Sequence, residues 1–286
     1  MNKHNIHKLI IFVIITLASG WIGILLDSVL TEQPEGNSLG MGLWLILPFL
    51  TGIILRIVHH DWKDMGVKLH LRDNIKWYLL SIVIYPLVTI ITVGSAKIFD
   101  CIEMSEFEMR SFFLLAATSV VGGLIKNIFE EFAWRGYLTP KLIGLKLNDW
   151  LIYGISGLIW ALWHTAYYLV FLPDIYFEST SRVGMLLMGC ILMTCWTIMY
   201  VEIYRITKSV WPCVLMHTVE DAFPNVLVMT GGFVSFTKIG DVLLNPITGV
   251  FSTALFLGIG LLLRTFRIKK ERIATSVKSG DGFLPN

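Results

Sequence analysis

The chain has 286 residues, of which 55% are hydrophobic and only 15% charged, and its formal net charge is +2. Ordinary soluble domains carry roughly a quarter charged residues, and a mean hydropathy of +0.69 cannot be hidden inside one globule of this size. A soluble enzyme, a disordered regulator and a nucleic-acid binder are thereby excluded, and a membrane protein is indicated.

A bilayer core of about 30 Å needs about 20 apolar residues per helix, so uncharged runs bounded by charges give the expected spans. Six are clear: Leu9–Leu26, Gly36–Leu55, Trp77–Ala96, Trp150–Pro173, Val183–Val201 and Val242–Leu263. Two further apolar segments are interrupted by charge. The one from Ser111 reaches Lys126, Glu130 and Glu131, and the one from Ser209 meets His217, Glu220 and Asp221 before Ala222. The expected fold is therefore all-α, a polytopic membrane protein of about eight transmembrane helices. The whole of 1–286 reads as a single integral-membrane domain, with a motif core over about 111–230 and a basic tail over 264–286. No internal repeat or inverted symmetry is visible. Cys101, Cys190, Cys195 and Cys213 lack C-x-x-C spacing, which points to free thiols.

Lysine and arginine collect in cytoplasmic loops, and here they alternate. Lys3 and Lys8 precede the first span, and Arg56, Lys63, Lys68, Arg72 and Lys76 follow the second. Arg135, Lys141 and Lys146 follow the fourth, Arg205 and Lys208 the sixth, and Arg264 to Lys278 the eighth. The opposite loops hold Lys97, Arg110, Arg182 and Lys238, and carry acids such as Glu35, Glu106 and Glu178. Both termini are expected in the cytoplasm.

Lipid penalises a charged side chain, so function is sought first in the two interrupted spans. In Phe129-Glu130-Glu131-Phe132-Ala133-Trp134-Arg135, the i, i+4 spacing puts Glu131 and Arg135 on one face while Glu130 points about 100° away. Glu131 can then be an oriented structural partner and Glu130 a proton acceptor facing a cavity. Lys126, four residues before Glu130, leaves open the alternative that both acids are simply neutralised by helical neighbours. His164 follows Trp160 by four in an otherwise uncharged span, and His217 and Asp221 stack at i, i+4. Pro224 removes the helical hydrogen bond to the carbonyl of Glu220 and should kink that span just past the polar pair. Three spans thus offer acids or imidazoles that are cheapest when turned towards one another. Together they could supply the base, oxyanion donor and acid that peptide-bond hydrolysis needs. No H-E-x-x-H motif of soluble zinc proteases occurs.

The ordered set E-E-x-x-x-R (Glu130, Glu131, Arg135), aromatic-x-x-x-H (Trp160, His164) and H-x-x-x-[ND] (His217, Asp221) resembles the CPBP family, which includes CAAX prenyl endopeptidases and bacteriocin-processing or immunity (Abi) proteins. Ser209-Val210-Trp211-Pro212 also resembles the lead into that family's last motif. The resemblance implies a bacterial or archaeal cell-membrane endopeptidase acting on a prenylated or small hydrophobic, bacteriocin-like peptide. Its partners would be the bilayer and a membrane-associated peptide or lipidated protein. In it, Glu130 and His164 would activate water, His217 and position 221 would hold the oxyanion, and Glu131 and Arg135 would order the site. This chain departs at Trp160, where phenylalanine is usual, and at Asp221, where an asparagine amide could donate.

An ionised aspartate cannot donate, so Asp221 would be protonated, would orient His217 or would ligate a metal. Burial beside an apolar, kinked stretch favours the protonated donor. A zinc ion would take its ligands from Glu130, His164, His217 and Asp221; a glutamate-activated water needs no cofactor, and that metal-free scheme is preferred. Two other readings compete: a non-catalytic immunity or envelope scaffold protein of the same fold, and a proton-relaying transporter. The expected topology has a direct check. Reporter fusions after Lys146 and after Glu106 are expected on opposite faces of the membrane, and the same face for both would refute it.

Overall fold

The computed structural model describes residues 3–279 apart from 31, 35, 105–106 and 178–179. Glu35, Glu106, Glu178 and the tail residues 280–286 therefore lie outside the described residues. The structure is helical almost throughout. In chain order the helices are α1 (Lys3–Val29), α2 (Leu39–His59), α3 (Leu71–Ile98), α4 (Met109–Ala133), α5 (Thr139–Gly144), α6 (Asp149–Trp163), α7 (Arg182–Thr207), α8 (Trp211–Ala222), α9 (Lys238–Leu244) and α10 (Val250–Ser279). Strands β1 (Ile102–Glu103) and β2 (Ser235–Phe236) pair antiparallel, with Ile102 opposite Phe236. All four cysteines are free.

Six helical segments among the described residues are long and apolar enough to cross a membrane: 6–29, 39–59, 71–98, 109–144, 182–207 and 250–276. The expected count of eight is not confirmed, because the two segments that carry the site histidines are interrupted. The expected span Trp150–Pro173 is not one helix, because α6 ends at Trp163 after 15 residues. The segment from Ser209 yields α8, of 12 residues. At 1.5 Å per residue these are only about 22 and 18 Å long, short of a 30 Å hydrocarbon core.

The two breaks differ in cause. After α8, Pro224 has no N–H to give the helix, and Phe223 is distorted within the helical region at φ −117°, ψ −76°. At the end of α6 there is no proline. The indole Nε1–H of Trp44 donates to the Trp163 carbonyl at 3.0 Å, which competes for an acceptor the helix would otherwise use. The last span begins at Val250 rather than Val242. Pro246 disfavours helical geometry in the residue before it, and Asn245 is extended at ψ 129°.

Helix starts follow their caps. Ser38, Asn148 and Ser181 accept hydrogen bonds from Met41, Leu151 and Gly184. Helices α1 and α2 pack so closely that a Cβ on Gly23 would lie 2.3 Å from the Gly40 carbonyl oxygen, the small-residue contact that membrane helices favour. Helix α8 packs against α3 and α4, and α7 against α6 and α10. Asp149 ties α6, α7 and α10 together by accepting from Arg205 (2.6 Å), Arg264 (2.9 Å) and Arg267 (2.7 Å). The core they enclose is rich in aromatic side chains, among them Trp134, Tyr137, Trp160, Trp163 and Tyr200. Large apolar residues such as Leu25, Ile54, Ile90, Val121 and Leu262 face outward, as they do when the solvent is lipid.

Between α4 and α5 the backbone widens into a π-helical turn at Trp134–Leu138, a form that recurs where a side chain must be re-aimed. The Gly136 carbonyl accepts from buried Arg56 at the end of α2, from both Nε (3.1 Å) and Nη2. Arg56 Nη1 also pairs with Asp64 at 2.8 Å. Replacing Arg56 by Met leaves a buried carbonyl without its donor, and an unsatisfied group costs about 1–3 kcal/mol. Arg56→Met is therefore expected to lower the thermal unfolding midpoint of the detergent-solubilised protein; an unchanged midpoint would show that this anchor is dispensable.

Candidate active site

The π-helical turn presents Arg135 to the core, where its side chain and that of Glu131 are both fully buried and joined at 3.0 Å. The same Glu131 oxygen, Oε1, lies 2.9 Å from Nδ1 of His217 on α8. A carboxylate accepts, so Nδ1–H donates and Nε2 of His217 is left for the interior. The Arg135 guanidinium sits between the faces of Trp160 (4.6 Å) and Tyr200 (4.2 Å), an arrangement that stabilises a cation out of water. Trp160 and Tyr200 also contact the His217 ring edge-on, at 5.6 and 5.9 Å between centroids. Trp160 is thus a wall shared by the arginine and the histidine.

Glu130, one residue earlier, turns away from this cluster and lines a cavity of about 360 Å³ together with His164, His217, Glu220, Asp221, Lys126 and Trp160. Its Oε1 lies 3.4 Å from Lys126 Nζ, and its Oε2 has no hydrogen-bond partner among the described residues. His164 terminates α6, and its Nδ1 lies 2.9 Å from the Trp160 carbonyl oxygen. A carbonyl only accepts, so Nδ1 carries the proton and Nε2 keeps a lone pair. Tyr168 stacks on the imidazole at 5.5 Å while Trp163 and Trp44 meet it edge-on, which fixes the ring. One part of the cavity is apolar and soft, lined by Met41, Met185, Met188, Met193, Leu192 and Trp196.

The structure thus brings Glu130, His164, His217 and Asp221 to one cavity and withdraws Glu131 and Arg135 behind it. Lys126 serves Glu130 and Arg135 serves Glu131, so the two acids are not equivalent. Of the roles left open for Asp221, the structure shows no donated hydrogen bond among the described residues and gives it two donors. Oδ2 accepts from Asn127 Nδ2 at 2.6 Å and Oδ1 from Lys126 Nζ at 3.1 Å, so both oxygens act as acceptors. Sequence reasoning passed over Glu220, a buried acid on the cavity wall. Its signal was the i, i+3 spacing from His217, which stacks the two on one face of α8. Asn127 and Trp44 carried no such signal, since their partners are distant in sequence.

The zinc ligand set expected from sequence is not the one that converges. Among the described residues, the ligand atoms within 4.8 Å of one another are those of His217, Glu220 and Asp221, without Glu130 or His164. Asp221 already holds two donors, and the Lys126 ammonium supplies a positive charge between Asp221 and Glu130. This arrangement does not fit a zinc ion on the expected residues.

The two glutamates should separate in a stability measurement. Glu131→Gln removes the counter-charge of a fully buried arginine, and breaking such a pair costs about 3–5 kcal/mol. Glu130→Gln removes only one of two partners of a half-exposed lysine. Thermal unfolding in detergent is expected to show a large drop for Glu131→Gln and little change for Glu130→Gln; equal drops would refute the division of labour.

No curated protein matches the chain. Residues 111–223 match the family described as type II CAAX prenyl endopeptidase Rce1-like, a segment that begins in the first turn of α4 and ends just past Asp221. This segment holds every motif residue from Glu130 to Asp221 and makes the chain similar, over these residues, to a family of intramembrane proteases.

Proposed function

We propose that the protein is an endopeptidase that hydrolyses a peptide bond in a membrane-associated peptide, prenylated or small and hydrophobic, by a water that Glu130 and His164 activate. The observation that carries this reading is that the Glu130 carboxylate and the free Nε2 sides of His164 and His217 face one cavity while Glu131 is withdrawn onto Arg135 and His217. Two acceptors, a carboxylate oxygen and an imidazole lone pair, hold a water by its two hydrogens. Glu130 takes a proton as the water oxygen attacks the carbonyl carbon, and the carbonyl electron pair moves onto its oxygen. Collapse breaks the C–N bond, and Glu130 returns the proton to the leaving amine, giving one carboxyl and one amine product. The methionine-lined part of the cavity, within the few hundred Å³ usual for ligand sites, receives an apolar side chain or lipid chain next to the scissile bond. Reaction from the cytoplasmic side, with both termini there, belongs to the same proposal and is supported by the alternation of basic loops.

The test is cleavage by the purified protein in lipid vesicles, with prenylated CAAX-type peptides and small hydrophobic precursor peptides as substrates. Glu130→Gln and His164→Ala are each expected to reduce turnover by at least 100-fold, on the order of a lost general base, while the protein stays folded. Because the two act on one water, the double variant is expected to be no slower than the worse single. Full activity in both singles would leave the non-catalytic scaffold as the better reading. A metal-free mechanism predicts that prior incubation with a strong zinc chelator leaves the rate unchanged; loss on chelation and recovery on adding zinc would overturn it.

A further inference from the structure

A peptidase needs a donor where the carbonyl oxygen becomes negative, worth about 10²–10³ in turnover for a single hydrogen bond. The acids on the cavity wall, Glu130, Glu220 and Asp221, are acceptors, and His164 spends its proton on Trp160. His217 offers one nitrogen. The remaining strong donor is Lys126, which the described structure makes the one lysine or arginine on the cavity lining. Its ammonium has three hydrogens. One is directed to Asp221 at 3.1 Å and one to Glu130 at 3.4 Å, which leaves a third for the cavity.

The ammonium is also held in place from behind. Asp221 is fixed by Asn127, which is fully buried and donates at 2.6 Å. Lys126 and Asn127 are consecutive on α4, so the two clasp one carboxylate of α8 from adjacent positions. A lysine needed only to neutralise Glu130 four residues later would not require this second helix. A long side chain pinned by acids on two helices is instead pre-aimed, and little reorganisation is needed when charge develops beside it.

We propose that Lys126 is the oxyanion donor of this enzyme, aimed by Asp221 and Asn127, and that it acts beside His217 on the carbonyl oxygen of the scissile bond. Lys126 is on this account a catalytic residue, and Asp221 and Asn127 are positioning residues. The inference rests on the peptidase reading above, and it gives an acceptor-only Asp221 a purpose: it holds the donor instead of being one.

Paired substitutions at 126 and 221 test this, with the cleavage assay in vesicles as the readout and thermal unfolding as the fold control. Lys126→Met is expected to lower kcat by 10²–10³-fold with KM changed less than threefold. That single leaves Asp221 without its cation, so the decisive variants are two doubles in which no charge remains at either position. Lys126→Met with Asp221→Asn supplies an amide N–H donor and is expected to recover at least tenfold over Lys126→Met. Lys126→Met with Asp221→Leu balances charge equally well but supplies no donor, and is expected to stay as slow as the single or, should the single not fold, at least tenfold slower than the asparagine double. A purely structural lysine predicts equal rates for the two doubles. Equal rates, full activity of Lys126→Met, or two folded but inactive doubles alongside an active unmodified protein would each overturn the inference alone. Absence of Glu130-dependent cleavage by the unmodified protein would overturn the peptidase reading and this inference with it.

Discussion

A single carboxylate oxygen organises this molecule. Glu131 Oε1 accepts from Arg135 on its own helix and from His217 on α8, in a place with no access to water. Each partner then needs its own support. Arg135 leaves Nε and Nη2 without hydrogen-bond acceptors among the described residues, and the faces of Trp160 and Tyr200 take the place of solvent. One ion pair in α4 therefore sets the position of aromatic residues on α6 and α7 and of a histidine on α8. It also fixes the rotation of α4 about its axis, and that rotation turns Glu130 into the cavity. Removing a partner from a pair this deeply buried costs more than the pair contributes, which makes the cluster a constraint on geometry as much as a source of stability.

The two helices that bear the site histidines, α6 and α8, are each interrupted before they reach the thickness of a bilayer. Each stops where a functional side chain has to face a cavity, and each continues as a single π-helical turn, Tyr167–Phe171 and Val226–Thr230. Irregular backbone at this depth is tolerated where protein or a water-filled cavity satisfies it, and here protein does so in part. Trp44 caps the Trp163 carbonyl, and Arg56 caps the carbonyl of Gly136 at the third irregular turn. Helix α2 thus supplies a donor to two of the three places where the bundle departs from regular helix.

Local relations were legible in the sequence and long-range ones were not. The spacing of Glu131 and Arg135, and of Lys126 and Glu130, follows from 3.6 residues per turn and holds in the structure. So does the kink after Ala222, because Pro224 carries its own mechanism. The break at His164 had no such mark: its agent is Trp44, 119 residues away, and an uncharged run gives the apolar length of a segment without saying where it bends. Lys126 was visible as a neighbour of Glu130, but its link to Asp221 spans 95 residues. A burial argument alone favoured a donating aspartate and could not anticipate the two donors that reach it from α4. Burial raises the cost of a charge only until partners arrive, and partners from another helix cannot be read from spacing.

The charges of the site do not balance. Lys126 and Arg135 are two cations, set against the four carboxylates of Glu130, Glu131, Glu220 and Asp221, all buried or partly buried. Glu220 makes no ion pair among the described residues and shares its end of the cavity with His217 and Asp221. Four negative charges against two positive ones in a medium that screens poorly is a costly arrangement, and the least disruptive relief is a proton retained by the cluster. The geometry offers it a place: His217, whose Nδ1 is already committed to Glu131, and Glu220 one turn on are the groups without a cation of their own. Carboxylates packed around a buried group favour keeping such a proton, against the desolvation that disfavours an isolated charge.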